Sequence, residues 1–122
     1  MGIGKFWIKH GPGSPGSIAK SVIKNFVKLK QQFPTASKEE LLSLTLKHRV
    51  NTYQKLGLRP LHADDQKKLL DKANGKLLSL ILLVIYIENH TAYETILTYS
   101  NIRQSVFDVI SDVVLKYAPG ID

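Results

Sequence analysis

Arg49 is the residue whose placement asks most of this chain. At about 100° per residue around a helix, it lies between Leu41, Leu42, Tyr53 and Leu56 and so points toward an apolar side. A guanidinium there requires carboxylates or carbonyls, because an unpaired buried charge is very costly. Glu88 and Glu94 are the candidate partners, and His48 stands next to the arginine in sequence. Two readings follow: a core-edge ion pair that orients two helices, or an anion-binding arginine assisted by His48. On the first, replacing Arg49 by leucine is expected to leave folding intact or improve it.

Lysines form the second chemical feature. Residues 1–38 carry seven of them (Lys5, Lys9, Lys20, Lys24, Lys28, Lys30 and Lys38) and no acid, while residues 39–122 sum to zero, so the whole +7 excess lies in the first third. Such asymmetry suits nucleic acid, anionic lipid or an acidic partner; the plain alternative is a solvated face that keeps a small protein soluble. Lys20, Lys24 and Lys28 recur at helical spacing, and with Lys30 they are the candidate phosphate contacts. Binding of that kind would weaken steeply with salt. No arginine precedes Arg49, which argues against base-edge reading, and residues 33–37 lack the glycine often found in a helix-turn-helix.

Other motifs carry less. Residues 11–16 match G-x-G-x-x-G and open a helix, but two are prolines with no N–H to offer a pyrophosphate, and no strand–helix alternation follows. A reduced version keeps free N–H groups at residues 17–19, backed by Lys20, for one phosphate. The histidines, His10, His48, His62 and His90, show no paired helical spacing. Glu88, His90 and Glu94 could supply metal ligands, but Thr91 reads as a helix cap, so no metal site is assigned. No nucleophile elbow, phosphate-binding loop or framed carboxylate pair is present, and no cofactor is implied. The tyrosines Tyr86, Tyr93, Tyr99 and Tyr117 read as core residues with wet hydroxyls.

The elements that must hold these residues are helical. With 122 residues, 43% hydrophobic residues and no cysteine, the chain suits one domain without disulfides or thiolate chemistry. Residues 1–16 read as a Gly/Pro-containing N-terminal extension and 17–122 as a single all-helical domain. Ser17 is the expected cap of a helix over 18–33, with Ile18, Val22, Phe26, Leu29 and Phe33 on one side and lysines on the other. Pro34 ends it. Ser37 and Glu40 form a capping box for a helix over roughly 38–56, with Leu41, Leu42, Leu46, Val50, Tyr53 and Leu56 inward and Gly57 and Pro60 as stops.

A third helix starts near Ala63, with Asp64 and Asp65 in its first turn, and ends at Asn74–Gly75 or runs on. The run over 77–87, LLSLILLVIYI, is too short to span a membrane. It reads as a central helix, with a homodimer contact as a second use of its surface. Thr91 with Glu94 and Asn101 with Gln104 could open two more helices. The last would carry an apolar stripe through Ile102, Val106, Val109, Ile110, Val113, Val114 and Tyr117.

These readings converge on an all-α fold, a compact bundle of about five helices around a central apolar helix (77–87). No signal peptide is evident, so a cytoplasmic protein is expected. The expected function is a non-catalytic protein-interaction or regulatory module, with self-association or a protein partner. A nucleic-acid binder using residues 5–38 is the first alternative. A small-ligand or anion-binding domain at Arg49, His48 and Glu88 is the second. A membrane-surface helix using Ile18, Val22, Phe26 and Phe33 is disfavoured.

Overall fold

A computed structural model describes residues 14–88 and 100–122 of the chain. Among them are five α-helices and no strand: α1 (Pro15–Gln32), α2 (Lys38–Val50), α3 (Ala63–Ala73), α4 (Leu77–Glu88) and α5 (Ser100–Tyr117). The all-helical bundle read from apolar periodicity is the fold observed.

α1 begins earlier than expected. Ser14, not Ser17, is the N-cap, and its hydroxyl accepts from the Ser17 N–H at 3.2 Å. Pro15 occupies the first helical position, where its fixed φ suits the helix and its missing N–H is one of the donors that would lack a partner. Pro15, placed in the N-terminal extension by the sequence, is therefore the first residue of the helix. Ile18, Ala19, Val22, Ile23 and Phe26 form the buried side of α1, and Lys20, Lys24, Lys28 and Lys30 are exposed.

α2 starts as expected, with Ser37 Oγ accepting from the Glu40 N–H at 3.1 Å. It stops at Val50 rather than near 56. There the backbone bonding tightens, with the Thr52 N–H donating to Arg49 O at 3.2 Å and the Tyr53 N–H to Val50 O at 3.1 Å. Thr52 Oγ1 also donates to Arg49 O at 2.8 Å, offering that carbonyl a partner outside the helical ladder. This tightened segment still buries Tyr53 completely, but Leu56, expected inward, is 63% exposed.

α3 ends where Asn74 and Gly75 both take positive φ, 52° and 75°. That left-handed pair reverses the chain into α4, so the break at Asn74–Gly75 is the observed alternative. α4 packs against α3, α1 and α5, while α1 packs against α5, α2 and α4, so these two helices share the centre. Leu77, Leu80, Ile81, Val84 and Ile85 of the apolar run are buried against Ile23, Phe26, Leu42, Leu46 and Ile110 in one core. Leu78, Leu82, Leu83 and Ile87 are half-buried by the described residues. No described helix is long and apolar enough to cross a membrane. α5 begins at Ser100, one residue ahead of the expected cap, and buries Val106, Val109, Ile110 and Val114.

Candidate anion-binding site

Two clusters of charge stand out, and α1 contributes to both. The first is built where the end of α2 meets the end of α4. Arg49 donates from Nε to Glu88 Oε2 and from Nη2 to Glu88 Oε1, each at 2.6 Å, in a two-pronged pair. Its Nη1 donates to Ser21 Oγ of α1 at 3.1 Å, and the Tyr53 hydroxyl donates to Glu88 Oε2 at 2.8 Å. The Arg49 side chain keeps 21% of its exposure and that of Glu88 only 7%.

Arg49 and Tyr53 both titrate above their ordinary values. The hydrogen bond to Glu88 raises the Arg49 pKa further, outweighing the opposing effect of burial. Burial first, and the Glu88 charge second, push the Tyr53 hydroxyl well above its ordinary value. All three guanidinium nitrogens are therefore committed to partners within the fold. This arrangement ties three helices together, and Glu88 is the carboxylate brought to Arg49. His48 is exposed and makes no part of the cluster. Glu94 and His90 lie outside the described residues, as does the expected cap at Thr91. With Glu88 this well shielded, Arg49→Leu would strand a carboxylate, which revises the expectation that it leaves folding intact.

The second cluster joins α1 to α5. These helices run antiparallel, so the start of the lysine stripe meets the last turn of α5. Lys20, Lys24 and Lys116 place their Nζ atoms 5.6, 5.8 and 5.5 Å from the centroid of the Tyr117 ring. An aromatic face attracts cations within about 6 Å, by roughly 0.5–1 kcal/mol at exposed sites, so one ring gathers three ammonium groups. The Tyr117 hydroxyl is held below its ordinary pKa, first by its hydrogen bond with Lys20 and then by the charges of Lys116, Lys20 and Lys24. Among the described residues the ion pairs are Arg49–Glu88 and Lys38–Asp122, so no described carboxylate neutralises these three lysines.

Lys28 continues the stripe on the same side of α1, about two helical turns from Lys20. Lys30 is exposed but lies roughly 120° around the helix from Lys24 by helical phase, rounded to a third of a turn, and does not share the stripe. The backbone N–H groups expected to hold a phosphate at residues 17–19 are not available as a set. Ser17 N–H bonds Ser14 Oγ and Ile18 N–H bonds Ser14 O at 2.9 Å. Because α1 starts at Pro15, its orphan donors lie further upstream than the sequence suggested.

Sequence reasoning missed Lys116 and Tyr117 as partners of the stripe, since nothing local says which helix lies beside α1. It also missed Asp122. That side chain accepts from the Leu77 and Leu78 N–H groups at 2.8 Å each and pairs with Lys38 at 2.7 Å. Asp122 thus caps α4 from 45 residues away. Burial raises the pKa of its carboxyl, but the bonds from Lys38, Leu78 and Leu77 outweigh that effect and hold it below the ordinary carboxylate range.

Among the described residues no group of three or more His, Cys, Asp or Glu side chains could hold a metal ion. Comparison with known proteins gives no match to any family model, to any curated protein or to any solved structure.

Proposed function

We propose that this chain is a small non-catalytic binding module whose partner is nucleic acid, held through the phosphate backbone by the exposed lysine side of α1. The observation that carries this reading is the convergence of Lys20, Lys24 and Lys116 on Tyr117 without a described carboxylate to neutralise them. Lys20 and Lys24 are like charges one helical turn apart, an arrangement that costs a few tenths of a kcal/mol in an isolated helix. A bound anion removes that repulsion. The alternative site at Arg49 is disfavoured because each of its three guanidinium nitrogens already donates within the fold and Glu88 compensates its charge. A membrane-lying α1 is disfavoured because Ile18, Val22 and Phe26, which would enter the headgroups, are in the core.

Backbone contacts by lysine favour affinity over sequence choice. Fluorescence anisotropy with a labelled mixed-sequence single strand tests this. Binding at low salt should weaken with a log–log slope of about −0.7 per phosphate contacted. The combined Lys20→Ala, Lys24→Ala and Lys28→Ala variant should flatten that slope by about two units. Absence of binding to DNA and RNA at low salt would end the nucleic-acid reading.

A second reading, self-association, is favoured by the half-buried Leu78, Leu82, Leu83 and Ile87 along α4. Sedimentation equilibrium across a range of concentrations tests it: concentration-dependent dimerisation supports it, and a strict monomer removes it.

A further inference from the structure

The two parts of the lysine face differ in charge density, and the difference bears on which phosphate each part takes. Along α1, Lys24 and Lys28 follow one another at a rise of about 6 Å, one cation per turn. That layout suits successive phosphodiesters, each carrying one negative charge. At the Tyr117 end, by contrast, three ammonium groups surround a single ring. One diester there would leave two of the three charges uncompensated. A phosphomonoester carries about 1.5 to 2 negative charges near neutral pH and three acceptor oxygens, so it compensates more of that charge than a diester does.

We propose that Lys20, Lys24 and Lys116, gathered around the Tyr117 ring, seat the terminal phosphomonoester of a nucleic-acid strand whose next phosphates run along α1 past Lys28. This inference rests on the nucleic-acid reading above and assigns an end to the bound strand. The stripe beyond the seat distinguishes this partner from a phosphopeptide, since a single phosphoserine has no further phosphates to offer Lys28. The end group carries more negative charge than an internal diester. The seat should therefore respond to the end group more than to the sequence of the strand. Lys116 belongs to the seat but not to the stripe, which allows the two to be separated by substitution.

The experiment compares one single-stranded oligonucleotide in three forms: 5′-phosphorylated, 3′-phosphorylated and hydroxyl-ended. A phosphoserine peptide provides a fourth arm. All are titrated against the wild-type chain, Lys116→Ala and Lys28→Ala, with thermal melts by circular dichroism to verify folding. One terminally phosphorylated form should bind about tenfold tighter than the hydroxyl-ended form, a difference of about 1.4 kcal/mol. Lys116→Ala should remove that preference by weakening the phosphorylated form more than the hydroxyl-ended form, and Lys28→Ala should weaken every oligonucleotide by a similar factor while keeping the preference. Equal binding of all three oligonucleotides overturns the seat and leaves backbone binding intact. No oligonucleotide binding overturns both readings. Tighter binding of the phosphopeptide than of the phosphorylated strands overturns the nucleic-acid assignment of the seat.

Discussion

Arg49 and Tyr53 at one end of α4, and Lys20, Lys24, Lys116 and Tyr117 along the edge of α1 and α5, use the same two ingredients. Each region sets cationic side chains beside a tyrosine. In the first, Glu88 is present and well shielded, each guanidinium nitrogen donates within the fold, and the phenol donates to the same carboxylate. In the second, no described carboxylate is within ion-pair distance, the cations face solvent, and the ring itself is what gathers them. The first cluster is closed and serves the fold. The second is open and has charge left for a partner. Proximity of charge alone does not make a binding site; lack of internal compensation is what separates the two.

The largest effect should come from opening the closed cluster. Glu88→Ala removes the acceptor of both Arg49 prongs and of Tyr53, so chemical denaturation should show a loss of roughly 2–4 kcal/mol. The Arg49→Leu, Glu88→Leu double variant removes both charges together and should recover most of that loss. If Glu88→Ala unfolds at the wild-type denaturant midpoint, the cluster is not what holds these helices.

Asp122 lies between the extremes, a paired carboxylate with a partly exposed side chain. Asp122→Asn weakens the cap on α4 and the pair with Lys38, and should cost about 1 kcal/mol at neutral pH. Because its folded pKa is depressed below 3.8, the stabilisation is present above the unfolded value. It is lost as pH falls through the folded one. Wild type and Asp122→Asn should therefore differ by a constant amount above about pH 5 and converge in acid. A difference that persists undiminished at pH 2 would contradict the assignment.

A smaller effect separates the two tyrosines. Ultraviolet difference titration should show Tyr117 ionising below its ordinary value of 10.0, and Lys20→Ala should move it back upward. Tyr53 should remain protonated until the fold opens. A raised folded pKa stabilises below the unfolded value and is lost as pH rises, so Tyr53 contributes to alkaline unfolding. If the two phenols ionise together in the folded protein, the contrast between the clusters fails.

How much of this was legible in the sequence depends on range. Helical phase placed Arg49 toward the apolar side, and the need to compensate it pointed to Glu88, at the end of the apolar run, or to Glu94, which lies outside the described residues. Lysine spacing gave the exposed side of α1 directly. Local competition was harder to see: Pro15 could have been a stop or a first residue, and Thr52 drew the Arg49 carbonyl out of the helical ladder. What could not be read was tertiary. Lys116 and Tyr117 join Lys20 only because α5 lies antiparallel to α1. Asp122 reaches Leu77 only because the chain after α5 returns to the start of α4.

The most direct test is a chemical-shift titration of the labelled chain with a short single-stranded oligonucleotide at low salt, following backbone amides and the Arg49 Nε–H. Shifts confined to the Lys20–Lys24–Lys28 side of α1 and to Lys116–Tyr117, with the Arg49 Nε–H unmoved, are the predicted result. Shifts centred on Arg49 and His48, with the lysine side silent, would contradict it.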